Sequence, residues 1–357
     1  MATAIPLKRD NGQTAQFGAS DTIAASAMPV ASVISPSISS NQNNYSPTGW
    51  ADADTIRITF DTGGRAITGF AAWTNARQKT IYNISGNYAY IPSGHTSSSS
   101  ANRVAGVCDH IIEPYGCIVL EYDSTTSIVR VVYNSFNPLL PSFKGLFYTV
   151  SPGATLGSDW GIVSFGISGG NNGTVAPTST LPATWEINTS TSATGASSLF
   201  MPKSIATPMQ YGGGHLISIA YVYFAALSDG TQTYTFMHGI NPSPNGFSLT
   251  NSNSAVFRYT HSVNGGRFEG LTIGSGGTQS AIDLGITVAI NTPYVLAVCV
   301  DKARSEVRFY IDGVLVGIQT AQIPGAVSTG DRTIILKSVG TTSRGVNVAY
   351  KTFFAIV

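Results

Sequence analysis

The chain has 357 residues, 43% of them hydrophobic and only 10% charged, with 38 glycines and a formal net charge of +1. Disorder needs high net charge and few aromatics, so this composition excludes a disordered chain, and it offers no basic face for nucleic-acid phosphates. No apolar stretch approaches the roughly 20 residues that cross a bilayer, and no charged start leads into an apolar core as a signal peptide requires.

Three cysteines, Cys108, Cys117 and Cys299, are too few and too widely spaced for a disulfide framework, which points to synthesis in a reducing cytoplasm. Residues 1–46 hold mostly small and polar side chains with no lasting period. Such a segment buries too little surface to fold by itself. We read it as an extended N-terminal anchoring arm, with Ile5, Leu7, Phe17 and Ile23 as apolar anchors and Asn11-Gly12 as a turn between two short extended pieces.

Residues 47–135 read as a small antiparallel β module. Ile56, Ile58 and Phe60 alternate with Thr55, Arg57 and Thr59, the period of a half-buried strand. Lys79–Ile84 and Tyr88–Ile91 continue the pattern. Ile118–Tyr122 and Ile128–Tyr133 flank a short loop and predict a hairpin. Trp50 and Trp73 are assigned to this module's packing. Residues 136–145, with Pro138 and Pro141, read as a linker.

From 146 to 357 a larger β domain is predicted. His215–Ala225 is a long strand that is apolar on both faces, as sheet-on-sheet packing requires. Tyr294–Val300 is another strand. Glu306–Ile311 and Val314–Gln319 flank Asp312-Gly313, a strong hairpin signal because both turn positions need positive φ. Asn347–Val357 closes the chain.

Two stretches carry a resemblance. Residues 55–132, with Ile67-Thr68-Gly69, Asn83, Ala101-Asn102-Arg103, Tyr122-Asp123 and Arg130-Val131 in that order, resemble a β module recurrent in phage tail-fibre and other virion proteins. One departure is Val129, where a Trp is common. The opening LKRDNGQTAQFGASDTI also looks like the start of phage fibre chains. Residues 295–317, VLAVCVDKARSEVRFYIDGVLVG, resemble the late strands of concanavalin-A-like and laminin-G-like domains. Together these imply an all-β chain: an arm, a small antiparallel β module and a concanavalin-A-like β-sandwich (jelly roll). They imply a phage virion structural protein, whether tail fibre, head fibre or capsid decoration. By analogy with phage fibres the resemblance implies a homo-oligomer such as a trimer. Its partners are other capsid or tail proteins and a host-surface glycan, and its place is the virion surface after assembly in the host cytoplasm.

Catalytic chemistry finds little support. Glycoside hydrolysis needs two carboxylates across the scissile bond. Sandwich glucanases carry Glu-x-Asp-x-x-Glu, and Glu121-Tyr122-Asp123 begins that pattern only for Thr126 to break it. Glu306 is expected in solvent at a strand start. The histidines show no metal-ligand spacing, and they read as loop or strand-end residues. Asp229, Asn241 and Asp283 are loop candidates for calcium but form no dense cluster. No cofactor motif is present. For ligand binding, Trp160, Trp185 and Tyr211 lie near loop-like stretches where a ring could stack on a sugar. The expectation is a non-enzymatic assembly and display protein. The alternatives are a secreted carbohydrate-binding module and, further off, a polysaccharide-degrading enzyme.

Overall fold

The computed structural model describes residues 7–10, 13–16, 32–73, 78–106, 108–135, 147–150, 174–177, 185–191, 193, 195–200, 210–242, 251–260 and 264–356. Among these, every regular element is a β-strand except two 3₁₀ turns, Ser100–Asn102 and Asn264–Gly266. The chain is all-β.

Leu7–Asp10 (β1) and Gln13–Gln16 (β2) pair as an antiparallel hairpin with Asp10 opposite Gln13. These are the two short extended pieces expected around Asn11-Gly12. Ile5, Phe17 and Ile23 lie outside the described residues, and Leu7 is placed only by its backbone, at the start of β1.

The later part of the supposed arm belongs to the small module. Ser32–Ile34 (β3) and Ser37–Ile38 (β4) run parallel to Ala53–Phe60 (β5), with Ile34 beside Ile56 and Ile38 beside Phe60. Ile38 and Tyr45 are buried with Trp50, Ile56, Ile58, Phe60, Phe70 and Trp73. The boundary drawn at residue 46 therefore falls inside the module. Strands of two or three residues carry no readable period, which is why the sequence hid them.

The module continues with Arg65–Ala66 (β6), Gln78–Asn83 (β7), Ala89–Ile91 (β8), Val104–Ala105 (β9), His110–Ile112 (β10), Cys117–Asp123 (β11) and Ile128–Asn134 (β12). The main sheet runs β3-β5-β7-β11-β12-β9. It is mixed, which corrects the antiparallel expectation. β7 lies parallel to β5, with Ile56 beside Ile81, and β6 lies parallel to β8, whereas β11 is antiparallel to both β7 and β12. Side chains alternate with period two in either direction, so alternation cannot reveal strand polarity.

The motif positions brace this stack. Gly69 passes so close to the Asn102 carbonyl that a Cβ would stand 2.4 Å from it, so only glycine fits. Thr68 Oγ1 meets Ser98 Oγ at 2.7 Å, and Asn102 Nδ2 donates to Asn44 Oδ1 at 2.8 Å. Asp123 Oδ1 accepts from the Thr125 and Thr126 amides, while Arg130 pairs with its Oδ2 at 3.0 Å. Lys79 is buried beneath Trp50 and Trp73, and its Nζ donates to the Trp50 carbonyl at 2.6 Å. Both tryptophans thus serve the module's packing.

The larger body is a two-sheet antiparallel sandwich. Its strands are Phe147–Val150 (β13), Thr174–Pro177 (β14), Trp185–Asn188 (β15), Ala196–Phe200 (β16), His215–Phe224 (β17), Thr233–Asn241 (β18), Ser254–Thr260 (β19), Arg267–Ile273 (β20), Gln279–Thr287 (β21), Pro293–Val300 (β22), Val307–Ile311 (β23), Val314–Gln319 (β24), Gly330–Val339 (β25) and Gly345–Ile356 (β26). One sheet runs β14-β15-β26-β17-β22-β23-β24, with β13 also on β26; the other runs β16-β25-β18-β19-β20-β21. Phe224, Phe236, Phe257, Phe268, Leu296 and Phe309 fill the space between them. The predicted hairpin is present: Ile311 faces Val314, and Asp312 and Gly313 sit at φ 51° and 79°.

β17 is covered on both faces, as its composition predicted. Leu216, Ala220, Val222 and Phe224 enter the sandwich core, while Ile217 faces the small module. There Tyr88, Tyr90 and Ile111 pack on Ile217, Ala297, Cys299, Tyr310 and Phe354. At the centre of this joint Asp109, on the small module, takes three sandwich partners. His215 Nε2 donates to its Oδ2 at 2.6 Å, Tyr310 Oη to its Oδ1 at 2.7 Å, and the Arg308 guanidinium grips both oxygens. All four residues are buried, and Arg308 also lies over the Tyr90 ring at 5.1 Å. Burial pushes the Asp109 carboxyl up, but Arg308 and His215 outweigh it and hold it well below the usual carboxylate range. Glu306 meets Arg308 Nη1 and lies 3.2 Å from His95 Nε2, so it sits in the joint and not in free solvent as expected.

Candidate functional site

An open groove of about 580 Å³ lies on the outer face of the small module, lined by Val33, Thr55, Arg57, Tyr82, Asn83, Ile84 and Tyr115. Strand alternation builds its floor. Ile56 and Ile58 point into the core, so Thr55 and Arg57 point out, and Arg57 stands beside Tyr82 in the β5/β7 ladder. Among the described residues the Arg57 guanidinium has no hydrogen-bonding partner.

The rim is a turn with an unusual occupant. Residues 113–116 read Glu-Pro-Tyr-Gly, and the Gly116 amide donates to the Glu113 carbonyl at 3.0 Å. Tyr115 has φ 60° in this turn. It occupies the third position of a type II pattern, which favours glycine because φ is positive there. A tyrosine held in that region costs of order 1–3 kcal/mol, and such strain clusters at binding sites. Tyr115 is 76% exposed and Tyr82 43% exposed. Asn83 holds the turn in place, since its Nδ2 donates to the Glu113 carbonyl at 2.8 Å and to the Asn87 carbonyl at 2.7 Å. Two exposed phenol rings beside a free guanidinium suit a sugar: C–H faces stack on rings, and hydroxyl or carboxylate oxygens accept from arginine.

None of the residues singled out for ligand binding lies here. Trp160 falls outside the described residues, and Trp185 is placed by backbone alone, opposite Val348 in β15. Tyr211 is a correction. It is fully buried in the sandwich core, where its hydroxyl donates to the Ile240 carbonyl at 3.0 Å. An aromatic close to glycines reads as a loop residue, yet this one folds inward because its single polar atom finds a backbone acceptor. The calcium candidates do not converge. Asp229 caps its own turn by accepting from the Thr231 and Gln232 amides, Asn241 ends β18, and Asp283 lies in β21 paired with Arg267, so two of the three are strand and not loop residues.

A second polar group lies inside the sandwich, at Ser218, His238, Asp331, Thr333 and Lys351, all buried. His238 is a mid-strand residue of β18, unlike the loop or strand-end position expected for it. Burial, with Lys351 nearby, lowers its ring well below the usual histidine range, so it is neutral. Ser218 Oγ lies 3.3 Å from His238 Nε2, but Asp331 accepts from Ser218 itself, and His238 Nδ1 meets Thr333 Oγ1 at 3.0 Å. In a hydrolytic triad the carboxylate orients the histidine; here it does not.

No protein-family model matches the chain, and no curated protein matches it. Among solved structures, the carbohydrate recognition domain of Emp47p aligns over 52% of this chain and 90% of its own, at 10% identity and a TM-score of 0.38. An endo-β-1,4-glucuronan lyase from the fungus Trichoderma reesei aligns over 53% of this chain and 89% of its own, at 12% identity and a TM-score of 0.38. A carbohydrate esterase from the Shiga toxin-encoding bacteriophage phi24B aligns over 52% and 88%, at 14% identity and a TM-score of 0.35. The assignment as a β-sandwich rests on the strand pairing described above.

Proposed function

We propose that the chain is a non-enzymatic phage virion structural protein that is anchored through its N-terminal region and presents its β bodies for contact with a host-surface glycan. The observation that carries the glycan reading is Tyr115, exposed at the groove rim in a backbone conformation that a glycine would adopt without strain. The virion reading draws on the ordered motif positions between Ile67 and Val131 and on the fibre-like opening segment. Location as tail fibre, head fibre or capsid decoration, and assembly as a homo-oligomer on the virion surface, belong to the same proposal.

The test compares wild type with Tyr115→Gly on an array of bacterial surface polysaccharides. Glycine keeps the turn and removes the ring. Its stability is expected to stay level or rise by up to about 1 kcal/mol, because the strain is relieved. Binding is expected to fall about tenfold, which corresponds to the loss of one stacking contact. Equal binding by both proteins, or retention of no polysaccharide by wild type, would sink the glycan reading.

A further inference from the structure

The buried polar group inside the sandwich has a chemistry that the groove does not use. Lys351 reaches inward from β26 of one sheet and Asp331 from β25 of the other, with Nζ and Oδ2 3.3 Å apart. Ser218 Oγ donates to Asp331 Oδ1 at 2.8 Å, and Lys351 Nζ donates to the Leu199 carbonyl at 3.1 Å.

As an ion pair this is a poor occupant of a core. Two charges lose their hydration, and apolar residues of the same size often do as well or better. An ammonium has three protons to place, whereas the described residues offer Nζ two acceptors, Asp331 Oδ2 and the Leu199 carbonyl. Burial drives both partners toward their neutral forms. It lowers Lys351 to about 8 against the pull of Asp331, and it raises the Asp331 carboxyl against that of Lys351. Moving one proton from Nζ to the carboxylate turns the pair, with Nζ and Oδ2 3.3 Å apart, into an amine against a carboxylic acid in a site closed to solvent, and the fold holds the two reactants in place.

We propose that Lys351 and Asp331 condense into an isopeptide bond that staples the two sheets of the sandwich together. The Nζ lone pair attacks Asp331 Cγ. An Nζ–Cγ bond forms and one Cγ–O bond breaks. The departing oxygen takes the carboxyl proton and one amine proton and leaves as water; nothing is oxidised or reduced. Ser218, bonded to the carboxyl and next to neutral His238, is placed to relay protons through the tetrahedral intermediate. The existing hydrogen bonds also fit the product. The amide N–H keeps the Leu199 carbonyl, and the amide oxygen keeps the Ser218 hydroxyl.

The test is tryptic digestion of the denatured, full-length native protein. Trypsin cuts after Arg308, Arg332, Lys337 and Arg344, so an unlinked chain releases 309–332 and 345–351 as separate linear peptides. The expected result is one branched species, 309–332 joined to 345–357 and lighter than the two together by one water, with no cleavage at Lys351. Lys351→Met is expected to abolish it, and His238→Gln to slow its formation by roughly a hundredfold. Free 345–351 from the native protein, with an intact mass equal to that of the unlinked chain, overturns the proposal whether or not the variants fold.

Discussion

Replacing Asp109 with alanine is expected to destabilise the protein by about 3–5 kcal/mol, the usual cost of removing one partner from a buried ion pair. The reason is what the change leaves behind. Arg308 is fully buried on the sandwich and takes its main counter-charge from Asp109, and His215 and Tyr310 lose the same acceptor. A guanidinium cannot escape by shedding its proton. The double change Asp109→Leu with Arg308→Met removes both charges together, so it is expected to recover a large part of the loss. The joint also makes folding sensitive to acid. Because the folded carboxyl is held below its unfolded value of about 3.9, the unfolded chain binds the proton first. The stability it contributes is present above that pH and is lost as pH falls toward the folded value. Urea unfolding of the three proteins at neutral pH and near pH 3 measures all of this. An Asp109→Ala protein as stable as wild type would mean the joint carries no load.

Phe309→Ala is expected to cost a similar amount, about 3–5 kcal/mol. The ring is fully buried and meets Phe257 edge-on at 5.2 Å. It also packs directly on Gly270, where even a Cβ would stand 2.7 Å away, so this neighbour on β20 has no side chain to swing into a cavity left on the β23 side. Phe309→Leu keeps most of the volume and is expected to cost less than about 1.5 kcal/mol. Thermal unfolding of the two variants gives the comparison, and equal losses would show that volume at this site is not what matters. One strand therefore serves two interfaces. Val307, Phe309 and Ile311 fill the sandwich core, while Arg308 and Tyr310 turn outward into the joint.

What could be read in the sequence follows from this geometry. Period-two alternation marked β5, and apolar residues on both faces marked β17 and β22, because each packs at least one face on a core. Asp312-Gly313 marked its hairpin because few other pairs accept two positive φ angles. The joint was invisible because Asp109 and Arg308 are 199 positions apart and neither belongs to a local motif. Parallel pairing in the small module left no trace because alternation is the same in either strand direction. The groove was half legible. Arg57 was already on the outward phase of β5, but Tyr82 lay on a strand noted only for its pattern, and Tyr115 needed the turn's backbone angle. A tyrosine between proline and glycine was the available signal. Tyr211 misled because nearby glycines suggest a loop and say nothing about where a ring points.

We propose that this chain is a virion component held by its N-terminal region. The most direct measurement is incorporation into phage particles that lack the native protein, comparing the full chain with one beginning at residue 32, which keeps β3 and β4 in the module's sheet. The full chain is expected in purified particles, and the shortened chain, folded by circular dichroism, is expected to be absent from them. A full chain absent from particles would contradict the virion reading. A shortened chain incorporated as well as the full one would move the attachment surface from the N-terminal region to the β bodies.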